Sequence, residues 1–165
     1  RARPRDLGYR ANMKSSDPLT VRIETPRGGC IKRRADGTID YISPIPAPFN
    51  YGCLPDVRSG DGDPLDVVVL GPRMKPGRDV HTRAWAWIDF IDAGESDPKI
   101  VCGPAQPRAT ERALVTRFFQ LYAVLKGLLN RSRGAAGPTV SRGWKDLASL
   151  ESAGGRAGLE NPSEA

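Results

Sequence analysis

The sequence predicts a mainly β domain with late helices: a small closed β-barrel with helices packed outside it. Two observations predict this. As far as Cys102 the chain divides into short apolar or alternating stretches, each bounded by Gly, Pro, Asp or Ser, as short strands are. From Ala109 the pattern switches once, to a long run of helix formers with apolar residues at helical spacing. Many strands followed by one or two helices is the order of a barrel with helices on its surface. No internal repeat or linker interrupts it, so residues 1–165 read as one domain, with a basic arm over 1–18 and a frayed tail over 152–165.

Taken in order, LTVRIET from Leu19 to Thr25 alternates apolar and polar positions, which predicts a half-buried strand. PRGG makes a turn, and Cys30 to Arg34 reads as the returning strand. After the ADGT turn come IDYI and SPIPAPFNYG, whose prolines exclude a central strand and predict an extended surface segment. LDVVVLG is a buried strand, and short strands follow around Val80 to Phe90 and Lys99 to Cys102. Ala109 to Asn130 is a helix with Leu114, Phe118, Leu121, Tyr122, Leu125 and Leu129 on its apolar face. GWKDLASLESA predicts a second, weaker helix.

Composition narrows the function. The chain is 39% hydrophobic and 27% charged, and its apolar runs fall far short of the roughly 18 residues that span a bilayer, so no membrane role is expected. RARPRDLGYRANMK is basic but lacks the apolar stretch of a secretory signal, so the cytoplasm is the expected compartment. Three spaced cysteines without a C-x-x-C fit reduced thiols. The net charge of +6 is scattered rather than run together, and no aromatics alternate with it. That pattern predicts a solvated surface, with no nucleic-acid partner.

The chemistry must come from carboxylates. His81 is the single histidine, there is no H-E-x-x-H, and neither G-x-x-x-x-G-K-[ST] nor G-x-G-x-x-G occurs. SGDGDPLD crowds Asp61, Asp63 and Asp66 at the mouth of a strand, and DAGESDPK carries Asp92 and Asp97 with Lys99 close behind. Like charges at this spacing repel unless a cation sits among them. Oxygen ligands without histidine or cysteine suit magnesium or manganese. A calcium EF-hand is excluded: counting from Asp61, position six is Asp66 instead of glycine and position twelve is Pro72 instead of glutamate. Pro64 stiffens the loop, and VVVLG pins Asp66 near the core.

DGDPLD, with IETP, IKRR, FNYG, DAGESDPK, RFFQLY and RGW in order around it, resembles the magnesium-dependent, single-barrel soluble inorganic pyrophosphatases, over about Leu19 to Leu150. The resemblance implies an OB-like five-stranded barrel that hydrolyses pyrophosphate to two phosphates with Mg2+, or Mn2+, as a homo-oligomer. It implies metal ligation by Asp61, Asp66, Asp97 and Asp92, and Asp63 as the general base. Lys32, Tyr51, Tyr122 and Lys99 would bind the substrate, with Glu24 in support. Three positions depart from the family pattern: Arg34 stands for a glutamate, Tyr41 for an arginine and Ala123 for a lysine. These departures raise an alternative, a barrel that keeps the metals and binds another phosphorylated ligand or a partner with little hydrolysis.

Overall fold

The computed structural model of the chain describes residues 18–34, 36–59 and 62–150. Asp61, the tail expected over 152–165 and all of the basic arm but Pro18 lie outside the described residues. Five strands close into a barrel: β1 (Pro18–Thr25), β4 (Asn50–Arg58), β5 (Pro64–Val69), β8 (Lys99–Gly103) and β6 (Asp79–Asp92), with β6 pairing back to β1. The neighbours are antiparallel except β5 and β8, which run parallel with Val67 opposite Ile100. β2 (Ile31–Arg33) and β3 (Ile39–Ile42) form a separate two-stranded ribbon, while β7 (Glu95–Ser96) and β9 (Val140–Asp146) extend the sheet from β6. Helix α1 spans Ala109–Ser132. The predicted barrel with late helices is therefore present.

Alternation along the strands makes two cores. Val21, Ile23, Leu54, Leu65, Val67, Trp87, Ile100 and Cys102, drawn from all five barrel strands, form one buried cluster, which is thus the barrel lumen. Val68, Ile88, Phe90 and Val101 point the other way and meet Val115, Phe119 and Ala123 of α1 in a second cluster outside the barrel. Because the side-chain period is two, Asp66 shares the outer face of β5 with Val68, and Lys99 shares that of β8 with Val101. The charged residues therefore continue the face that α1 covers.

Some elements differ from expectation. SPIPAPFNYG leads into β4, which is central between β1 and β5, and Ala47, Phe49 and Asn50 are buried. Pro55 is tolerated because it falls after the Leu54–Leu65 pair, where the register shifts. Asn50 anchors the entry to β4: its carbonyl accepts from the Arg27 and Met74 amides, and its amide donates to Pro72 and Val69. The expected short strands over Val80 to Phe90 are one strand of 14 residues.

Gly143 to Asp146, expected to open the second helix, belong to β9, where Trp144 pairs with Ile88. That helix opens instead at Ala148 and is described only to Leu150. The face of α1 is turned as well: Val115, Phe119 and Ala123 are buried, whereas Leu114 and Leu121 are 43% and 52% exposed. Phe119 sets this rotation, lying between Phe49 and Phe90 with ring centroids 5.9 and 5.8 Å away.

Candidate active site

A cleft of charged residues opens on the outer face of the barrel beside α1. Its inner part is a cavity of about 260 Å³ that reaches Tyr51, Tyr41, Tyr122 and Lys99, and its outer part, about 690 Å³, reaches Asp63, Asp92, Glu24 and Arg58. Lys32, Asp40, Asp66, Asp97 and Lys126 line both parts. Nine of the ten residues singled out in the sequence therefore border one cleft. The tenth, Asp61, lies outside the described residues.

The local elements explain this convergence. β5 presents Asp66 and the adjacent parallel β8 presents Lys99, so Lys99 Nζ meets Asp66 Oδ2 at 2.5 Å and Asp97 Oδ1 at 2.5 Å. Lys32 arrives from β2, 3.0 Å from the other oxygen of Asp66, with Glu24 at 3.6 Å and Asp40 at 3.7 Å. Asp92, at the end of β6, pairs with Lys126 of α1 at 2.5 Å and accepts from Asn130 Nδ2 at 2.7 Å. The loop after Asp92 is braced by the segment following α1: Thr139 Oγ1 accepts from the Ala93 amide, and the Gly94 amide donates to Pro138. Gly137 is required there, since a Cβ would stand 2.4 Å from the Ala93 carbonyl.

Among the described residues, no three Asp, Glu, His or Cys side chains converge closely enough to chelate one ion. Lysine ammoniums stand beside the carboxylates, with Lys99 and Lys32 on Asp66, Lys99 on Asp97 and Lys126 on Asp92. Burial alone would raise the pKa of Asp66, but Lys99 and Lys32 outweigh it and hold the carboxyl well below the usual range. Burial likewise pulls Lys99 down, yet Asp66 and Asp97 keep it raised and charged. Glu24 goes the other way: burial raises its pKa although Lys32 opposes, and its Oε2 is buried without a hydrogen-bond partner. Burial lifts the Tyr51 and Tyr122 phenols far above their ordinary values, so both remain neutral O–H donors.

The departing positions have definite places. Arg34 pairs with Asp40 at 2.9 Å and leaves Glu24 to Lys32. Tyr41 sits across β2–β3 from Lys32 and lines the inner cavity. Ala123 is buried behind the cleft. Of the residues that line both parts of the cleft, two escaped the sequence reading, Lys126 and Asp40. Lys126 follows Tyr122 by four positions, which puts both on one helix face, and that spacing was the available signal.

Comparison with known proteins gives the family. A family model described as inorganic pyrophosphatase matches residues 21–132. The chain belongs to the inorganic pyrophosphatase family. The inorganic pyrophosphatase of Saccharolobus solfataricus is 36% identical over 99 residues, which cover 55% of this chain and 58% of the relative. That of Synechocystis is 34% identical over 101 residues, covering 56% of this chain and 60% of the relative. The aligned part thus spans about three fifths of these relatives' lengths. The solved structure of the Coxiella burnetii inorganic pyrophosphatase superposes with a TM-score of 0.68 at 27% identity, covering 85% of this chain and 92% of that one. The Thermus thermophilus enzyme, at 24% identity, shares the fold with a TM-score of 0.67, over 86% of this chain and 90% of that one. No helix among the described residues is long and apolar enough to cross a membrane.

Proposed function

We propose that this chain hydrolyses inorganic pyrophosphate to two phosphates. The observation that carries the reading is the single cleft in which Asp63, Asp66, Asp92 and Asp97 interleave with Lys32 and Lys126, with Lys99 beneath. Pyrophosphate is a compact, highly charged anion, and phosphoryl transfer needs positioning and charge neutralisation more than covalent help. The cleft offers both, with ammoniums and phenol O–H groups as donors. Nothing in the described residues favours the binding-only alternative.

The donor set fits a hard divalent cation. It is all oxygen: Asp66 and Asp97 are brought together on one ammonium, Lys99, and a buried Glu24 oxygen lacks a hydrogen bond although Lys32 stands 3.6 Å away. Asp61, Asp66, Asp92 and Asp97 are the proposed ligands, with Mg2+ the first choice of metal and Mn2+ the second. When bound, the metal supplies charge neutralisation for the phosphates and acidifies water.

The chain's own residues do the rest. Lys32, Lys99, Tyr51 and Tyr122 donate to phosphate oxygens and fix the anion's position. Asp63, exposed at the rim before β5, takes the proton of the attacking water. The new bond joins water oxygen to one phosphorus, the bridging P–O bond breaks, and the second phosphate leaves with the electron pair. Glu24 keeps Lys32 charged and aimed. Self-association is part of the same proposal.

The deciding experiment is phosphate release from pyrophosphate by the purified chain with magnesium. Asp63→Asn should lower the rate by at least about 100-fold, the usual range for a lost general base. A wild-type chain that stays inert across magnesium, manganese and other divalent ions would sink the assignment.

A further inference from the structure

We propose that Lys126 is a substrate-binding cation of this cleft, reaching from α1 to the phosphoryl oxygens; this rests on the pyrophosphatase reading above. The three lysines of the cleft are held differently. Lys99 is clamped between Asp66 and Asp97, and its side chain is 5% exposed. Lys32 stands among Asp66, Glu24 and Asp40; Asp66 also has Lys99 and Asp40 also has Arg34, but moving Lys32 would leave Glu24 without a counter-charge among the described residues. Among the described residues, Lys126 pairs with one carboxylate, Asp92.

Asp92 does not depend on Lys126 alone. Its Oδ1 accepts from Asn130 Nδ2 at 2.7 Å and lies 3.4 Å from Thr139 Oγ1. The Lys126 ammonium can therefore turn from Asp92 and leave that carboxylate hydrogen-bonded. It also stands over the rings of Tyr41 and Tyr122, 5.5 and 5.7 Å from their centroids, which hold a cation without fixing its direction. Its position at the junction of the inner and outer cavities puts it within a lysine's reach of an anion in either part. Ala123, buried in the outer core, cannot supply such a charge, and Lys126 brings it in from the next helical turn.

The competing role is a clamp, with Lys126 merely tying α1 to the end of β6. The two roles separate in Lys126→Met, which keeps the stem, Lys126→Gln, which keeps length without charge, and Lys126→Arg, which keeps charge. The probes are magnesium alone and imidodiphosphate with magnesium, each by calorimetry, alongside KM and kcat for pyrophosphate and the thermal midpoint. A lost charged hydrogen bond predicts imidodiphosphate binding weakened by about 10–100-fold in Met and Gln, KM raised in parallel, and substantial recovery in Arg. Magnesium alone should bind no more weakly in the variants. If Met and Gln bind imidodiphosphate within twofold of wild type and lose only thermal stability, Lys126 is a clamp and the inference fails while the pyrophosphatase reading stands. A wild-type chain that neither binds imidodiphosphate nor hydrolyses pyrophosphate overturns both.

Discussion

Asp66→Asn isolates the electrostatic centre of the site. In the wild type one carboxylate faces two ammoniums, Lys99 at 2.5 Å and Lys32 at 3.0 Å, and Lys99 is buried. The amide keeps the shape of the side chain but removes its charge and turns an N–H2 group toward a cation. Breaking a buried ion pair from one side costs about 3–5 kcal/mol. Lys99 keeps Asp97 at 2.5 Å, and Lys32 keeps Glu24 and Asp40 at 3.6 and 3.7 Å, so the lower end applies. For a chain of this length about 3 kcal/mol corresponds to a midpoint roughly 6–12 °C lower.

The assay is thermal unfolding at pH 7 with a chelator, so that only the protein's own charges act. The pH dependence follows from the same carboxylate. Its folded pKa is depressed, because Lys99 and Lys32 outweigh the opposing effect of burial. Its contribution is therefore complete above the unfolded value near 4 and is lost as pH falls toward the folded value, so the gap between variant and wild type should be flat from about pH 5 to 8 and narrow below about pH 4. A single variant within about 1 °C of wild type, or a gap that widens in acid, would refute the reasoning.

Two further outcomes test the frame. Gly52→Ala would place a Cβ 2.0 Å from the Arg22 carbonyl where β1 and β4 pair, so the strands must separate. A loss above about 3 kcal/mol in urea unfolding is expected, and a loss under about 1 kcal/mol would show that the barrel yields there easily. On the outer face of α1, Leu121, Val124 and Leu128 are each more than half exposed. Sedimentation should find the chain self-associated, with Leu121→Asp and Leu128→Asp moving it toward monomer; a wild type that is monomeric at every concentration would rule out that use of the face.

Much of this molecule was legible in the sequence where local pattern and tertiary role coincide. LTVRIET and LDVVVLG alternate or run apolar because they are barrel strands, and they are β1 and β5. β4 was hidden because Gly52 and Pro55 lie in it for reasons of strand approach and register that no short window displays. β9 was hidden because its residues are mostly half-buried beside β6, and GWKD carries no clean period of two. The face of α1 is turned by one residue from the expectation, since Phe118 and Phe119 are equally apolar and both meet Phe49, while Phe119 also meets Phe90 and is the one buried. In the site, the acidic turns announce themselves by composition. Lys126 does not, because its meaning depends on Asp92 arriving from a distant strand.

The side-by-side run of β5 and β8 bears on how the chain assembles. Parallel strands close a long loop before any contact rewards them, and such pairings form late and are prone to error. With Val67 set against Ile100, the residues just before them meet as acid and base. A slip of one position would turn Ile100 outward and press an ammonium into the dry lumen, where nothing answers it. The pair that serves the cleft thus also proofreads the barrel, admitting a single alignment of its least forgiving seam.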